Sequence, residues 1–142
     1  MPFGGGRKVT VEPSFDRETY APGQAVQIVA PVQGETPDRV RGGKATLWMR
    51  FEMRNARGRA PGKTNAAGTY GQRDQMAKTD LGQVEPAADG TPRVAGALVL
   101  PADATPSEES QNLTVEWLVR VDVSRKGIDR GCLVPITVAA PG

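Results

Sequence analysis

The chain has no histidine and one cysteine, Cys132, in 142 residues. Histidine is the usual base beside a nucleophile, so Ser-His-Asp and Cys-His catalysis are excluded, as is every zinc site that needs an imidazole. One cysteine forms no internal disulfide and builds no thiolate metal site. With no histidine to activate it, and with Leu133 and Val134 following, Cys132 reads as a small core side chain rather than a reactive thiol. No apolar run approaches a membrane-spanning length of about 20 residues. No apolar signal-peptide segment follows Met1, so the expected compartment is the cytoplasm.

Alternation is what the chain does have. From Asn112 to Ser124, Leu113, Val115, Trp117, Val119, Val121 and Val123 interleave with Thr114, Glu116, Arg120, Asp122 and Ser124. That period of two predicts a long β-strand with one dry face. Further strands are expected at Lys8–Glu12, Ala25–Val32, Ala45–Arg54, Gln72–Val84, Arg93–Leu100 and Cys132–Ala139. Within them Val26, Ile28 and Ala30 share a face, as do Leu47, Met49, Phe51 and Met53, and Cys132, Val134, Ile136 and Val138. Glycine and proline, 17 and 12 residues, punctuate these segments. Tyr20-Ala21-Pro22-Gly23 reads as a turn, and Leu100-Pro101 as a strand stop. Thr105-Pro106-Ser107-Glu108-Glu109 carries the signals of one short helical turn. The expected fold is an all-β antiparallel sandwich, immunoglobulin-like or arrestin-like, of about seven to eight strands. A single domain covers 1–142, with residues 1–7 flexible and a long hairpin loop at about 55–71.

The order of these features resembles the arrestin-like β-sandwich family, particularly bacterial arrestin-like proteins related to sporulation control and, more remotely, the arrestin-fold retromer subunit. The matching residues are Tyr20-Ala21-Pro22-Gly23 before a strand, the strand around Leu47 to Met53, and Leu100-Pro101 followed by Thr105-Pro106-Ser107. Val115-Glu116-Trp117, Asp129-Arg130 and the apolar strand Val134 to Val138 complete the series. Members usually carry two such sandwiches in tandem, and this chain has room for one. No residues of this sequence carry over as the buried charged cluster that receptor-binding arrestins use as a phosphate sensor. The resemblance implies an adaptor or scaffold that binds protein partners through loops and sheet edges, without catalysis or a cofactor.

Charge is unevenly distributed. Between Arg39 and Lys63 eight cations stand against Glu52 alone, whereas from Asp74 to Asp122 nine acids stand against three cations. The cationic stretch is either a loop that docks on an acidic surface or a solubilising hairpin with a protected edge. On the docking reading Arg54, Arg57, Arg59 and Lys63 make the contacts. Nucleic acid is not the expected partner, because Tyr70 is the one aromatic near this loop and no stacking platform is interleaved with the cations. Gly58 to Lys63 is no phosphate loop, having three residues between its glycines where four are required.

Trp48 falls on the face opposite Leu47, Met49 and Phe51. It is either an exposed anchor for a partner or a residue covered by a second layer or the long loop. Trp117 shares the stripe of Val115 and Val119 and is expected in the core. The acidic pairs Asp122/Asp129 and Glu108/Glu109 lack the spacing of a calcium loop, and Asn112-Leu113-Thr114 matches a glycosylation acceptor by chance, given no secretory signal. The expected function is a non-enzymatic interaction, scaffold or assembly module contacting partners through Trp48, Arg54, Arg57, Arg59, Lys63 and an exposed edge strand. The alternative is a peripheral module that binds anionic lipid or another polyanion through residues 39–63.

Overall fold

A computed structural model of the chain describes residues 8–54 and 70–140. Among these residues ten strands run in the order β1 (Thr10–Val11), β2 (Ser14–Phe15), β3 (Thr19–Tyr20), β4 (Ala25–Gln33), β5 (Val40–Met53), β6 (Tyr70–Val84), β7 (Arg93–Val99), β8 (Glu108–Glu109), β9 (Leu113–Arg125) and β10 (Arg130–Val138). A 3-10 turn at Pro37–Arg39 leads into β5. The strands form one curled sheet in the order β1-β4-β7-β6-β5-β9-β10-β3, with β2 added beside β4 and β8 beside β9.

The long strand β6 makes the corner. Its residues 70–81 pair with β5, and Gly82–Val84 then pair with β7. One layer is thus β4 and β7 with β1 and β2, and the other is β6, β5, β9 and β10. At the N-terminal end the chain crosses between layers: β1 and β2 lie on β4, while β3 runs parallel to the end of β10. Between the layers sits one apolar cluster. Val26, Ile28, Ala30 and Val32 come from β4, Ala45 and Leu47 from β5, and Val115, Trp117, Val119, Val121 and Val123 from β9. Trp117 is fully buried, and its indole N–H donates to the Thr105 carbonyl at 2.7 Å, so the ring's own polar atom is satisfied inside the core.

The seven strands expected from alternation are all present. Val26, Ile28 and Ala30 are buried together, as the period of two requires. In the turn at Ala21-Pro22-Gly23-Gln24 the Gln24 N–H donates to the Ala21 carbonyl, and Gly23 has φ 81°, the positive value that a type II turn demands. Tyr20 is wholly buried. Its hydroxyl donates to Asp16 at 2.7 Å, and burial, reinforced by that carboxylate, pushes its pKa up to about 12.

The structure corrects several expectations. Strand β5 begins at Val40, not Ala45, because Gly42 and Gly43 hide its first turns from any pattern of side chains. Gly43 is needed there: a Cβ on it would stand 2.6 Å from the Asp122 carbonyl of β9. Met53 turns out 38 % exposed where the shared face runs past the core, and Cys132 is half-buried rather than sealed inside. Burial still pushes its thiol above the ordinary range, which disfavours the reactive thiolate. The segment Thr105–Glu109 is extended and ends in strand β8, not a helical turn. Tertiary bonds outweigh its local helix signals: the Ser107 N–H donates to the Val138 carbonyl, the Val138 N–H donates to Ser107 Oγ, and β8 pairs with Thr114 and Val115. Strands β2 and β3 and the 3-10 turn carried too few residues to show a period.

Candidate interaction face

The four strands β6-β5-β9-β10 turn one face to the core and the other outward. Register fixes who stands beside whom on the outward face. Its central row is Gln75 on β6, Trp48 on β5, Leu118 on β9 and Pro135 on β10. One row toward the β6 start, Arg73, Arg50 and Glu116 stand in line. The row on the other side is Lys78, Thr46, Arg120 and Leu133, and beyond it lie Asp80, Lys44, Asp122 and Gly131. An apolar band therefore crosses the face between two charged borders.

Trp48 is half-buried, and Leu118 beside it is only 7 % exposed despite facing away from the core. Leu118 stands on the central strand β9, with Trp48 directly opposite on one side and Pro135 on the other, so it is flanked by side chains across both strand pairs. Pro135 is exposed, and Leu133, diagonal to Leu118, is 43 % exposed. Met76, 36 % exposed, is the extra residue of a β-bulge facing Leu47 and Trp48. Of the two expectations for Trp48, neither holds in full: the residue is partly covered and keeps part of its surface exposed.

Arg50, Glu116, Arg120 and Asp122 on the borders of this band are engaged within the face. The Arg50 guanidinium donates to Glu116 at 2.9 Å and lies 3.5 Å from Glu52. Arg120 Nε donates to both carboxylate oxygens of Asp122. Arg54 donates through Nε to the Gln111 carbonyl, through Nη1 to Glu52 at 2.6 Å and to Thr114 Oγ1, and through Nη2 to the Ser110 carbonyl. It fastens the end of β5 to the turn that opens β9. Arg57, Arg59 and Lys63 lie outside the described residues. Beside the band, where β10 leaves β9 and β8 takes its place, an open groove of about 340 Å³ is lined by Arg50, Glu116, Glu108, Glu109, Pro135 and Thr137.

A second charged group escaped the sequence reading. Glu35, in the loop after β4, accepts from Arg125 Nε and Nη2, both at 2.6 Å, and from the Thr36 N–H and Arg39 Nε at 3.0 Å. Its side chain is 5 % exposed and that of Arg125 11 %. Arg125 Nη1 also donates to the Ile128 carbonyl, and Arg39 Nη2 to that of Lys126. The cluster ties the loop at 34–39 to the turn between β9 and β10. Burial raises the Glu35 pKa, but the Thr36 N–H and the two arginines outweigh it and hold the carboxyl below its usual range. Glu35 and Arg125 are 90 residues apart, so no spacing in the sequence joins them.

Among the described residues no group of three or more cysteine, aspartate or glutamate side chains is placed to hold a metal ion. No helix among them is long and apolar enough to cross a membrane.

The molecule has the fold of arrestin-like β-sandwiches. Spo0M, a sporulation control protein from Bacillus subtilis, has a crystal structure that superposes on it with a TM-score of 0.63 at 19 % identity. The match covers 94 % of this chain and 50 % of Spo0M, so the chain spans half the length of that protein. At this identity the likeness establishes the fold, not kinship. No protein-family model and no curated protein matches the chain.

Proposed function

We propose that this chain is a non-enzymatic protein-interaction or assembly module, a single arrestin-like sandwich over residues 1–142 that works in the cytoplasm. The observation that carries this reading is the outward band of Trp48, Leu118, Pro135 and Leu133. A large aromatic that is already half-buried has less freedom to lose when a partner covers it, and a few such side chains commonly dominate a protein interface. The ion-paired borders would form its polar rim. The fold shared with Spo0M, a sporulation control protein, supports a regulatory role, and the histidine-free chain offers few routes to catalysis.

Arg54 enters this reading as the staple that holds the rim in shape, while Arg57, Arg59 and Lys63 are proposed as further contacts from the β5–β6 connection. The polyanion reading rests on those three together with Arg41 and Lys44, since Arg39, Arg50 and Arg54 already hold carboxylates of the same chain. Affinity recovery of partners by the tagged protein and its Trp48→Ala variant, at low and high salt, tests the proposal. A stoichiometric protein that survives high salt and is lost with Trp48→Ala, in a variant that melts as the parent does, is the expected result. Binding that ignores Trp48 and collapses with salt would replace it with the polyanion reading.

A further inference from the structure

Among the described residues strand β6 has a neighbouring strand on one edge only over most of its length. Residues 70–81 pair with β5, β7 joins no earlier than Gly82, and among the described residues no strand pairs with the other edge. We infer that this edge pairs antiparallel with the same edge of a second copy of the chain, across a two-fold axis between Met76 and Ala77. The inference rests on the assembly half of the function proposed above and names its partner, using a different surface from the Trp48 band.

Three observations select the second copy as occupant. On β6 the residues facing outward are Arg73, Gln75, Lys78 and Asp80, each exposed and opposite Arg50, Trp48, Thr46 and Lys44 of β5. With the two-fold axis between Met76 and Ala77, Arg73 of one copy stands opposite Asp80 of the other, and Asp80 opposite Arg73. Gln75 then faces Lys78, and Met76 faces Ala77. Among the described residues neither Arg73 nor Asp80 forms an ion pair within its own chain. The edge is thus self-complementary, with two opposite charges at each end and an apolar pair at the centre.

Register supplies the second argument. A shift by one residue would set outward side chains against inward ones, and a shift by two in one direction would bring Arg73 against Lys78. The bulge supplies the third. A bulge and charges commonly shield an open edge from association, but here the extra residue, Met76, occurs at the same place in both strands. The two irregularities meet at the axis and cancel, so pairing passes through them without a slip.

Light scattering on the purified chain across a concentration series tests this directly. The expected result is a monomer–dimer equilibrium. Arg73→Asp and Asp80→Arg should each raise its dissociation constant at least about tenfold, because the axis repeats every change twice. The double variant carrying both should recover most of the parental affinity. Hydrogen exchange on the unaltered protein adds a readout free of any folding defect: amides at 73–80 should gain protection as concentration rises. A chain that stays monomeric throughout, a dimer unmoved by the single reversals, or a double variant no tighter than either single one would overturn the inference. Trp48→Ala should leave the dimer intact, so Trp48-dependent capture of a different protein by a monomeric chain would sink the self-pairing while sparing the module reading.

Discussion

Two arginine–glutamate groups in this protein use the same chemistry to different ends. At the mouth of the loop after β4, Glu35 is almost enclosed by Arg125, Arg39 and the Thr36 amide. On the outward sheet face, Arg50 lies between Glu116 and Glu52 with all three side chains about one-third exposed. Water screens the second group and is largely excluded from the first. The difference assigns their roles: the enclosed cluster holds two loops of the sandwich together, whereas the open one leaves its charges available to rearrange around a partner.

Removing Glu35 should therefore have the largest effect. Glu35→Gln leaves Arg125 with no carboxylate in a site from which water is mostly shut out, and breaking such a pair costs about 3 kcal/mol. A lower melting temperature measures it. Hydrogen exchange should show the turn at 125–130 opening first, since that turn is what the cluster holds. Titration sharpens the point. The folded-state pKa of Glu35 lies below its unfolded value, so its contribution is fully present above the unfolded pKa, about 4.3, and is lost as pH falls through the folded one. Acid unfolding of the parent should thus exceed that of Glu35→Gln, whose stability lacks this step. Equal pH dependence in the two would dissolve the distinction between the groups.

What was legible in the sequence follows from the same physics. A strand that buries one face writes its period into the chain, so β4, β5, β6, β7, β9 and β10 could be read from residues such as Val115, Trp117 and Val119. Strand β8 could not, because two residues are too few to show a period, and Glu108 and Glu109 are held by bonds from Ser107 to the distant Val138 and by a tight hairpin with Thr114 and Val115. Trp48 was visible as an outward aromatic, but that it stands between Leu118 and Gln75 and is only half-exposed appears once register is known. The Glu35 cluster was illegible for the same reason.

Arg54 is about as exposed as the open group but is bonded more widely, and it should lie between the two groups in effect. Its side chain is 32 % exposed, yet its guanidinium serves the Gln111 and Ser110 carbonyls, Thr114 and Glu52 at once. Arg54→Met keeps the aliphatic stem and removes those bonds, so a loss of about 1–2 kcal/mol in chemical denaturation is expected. A change below about 0.5 kcal/mol would place Arg54 with the loosely held surface charges and return it to the list of free contacts for a partner.

The smallest effect belongs to the pair on the open face. Arg50 and Glu116 are 35 % and 39 % exposed and 2.9 Å apart, so much of their attraction is screened by water. A double-mutant cycle with Arg50→Ala and Glu116→Ala should return a coupling of about 0.2–1 kcal/mol that shrinks further as salt is added. Glu52 adds a second acid near Arg50, so Glu116→Ala alone leaves the arginine a partner and should be almost silent. A coupling comparable to that of the Glu35 cluster, or one indifferent to salt, would mean that the outward face is dry in solution. Its charges would then already be covered, and the band of Trp48 and Leu118 between them would be part of a closed interface rather than an open one.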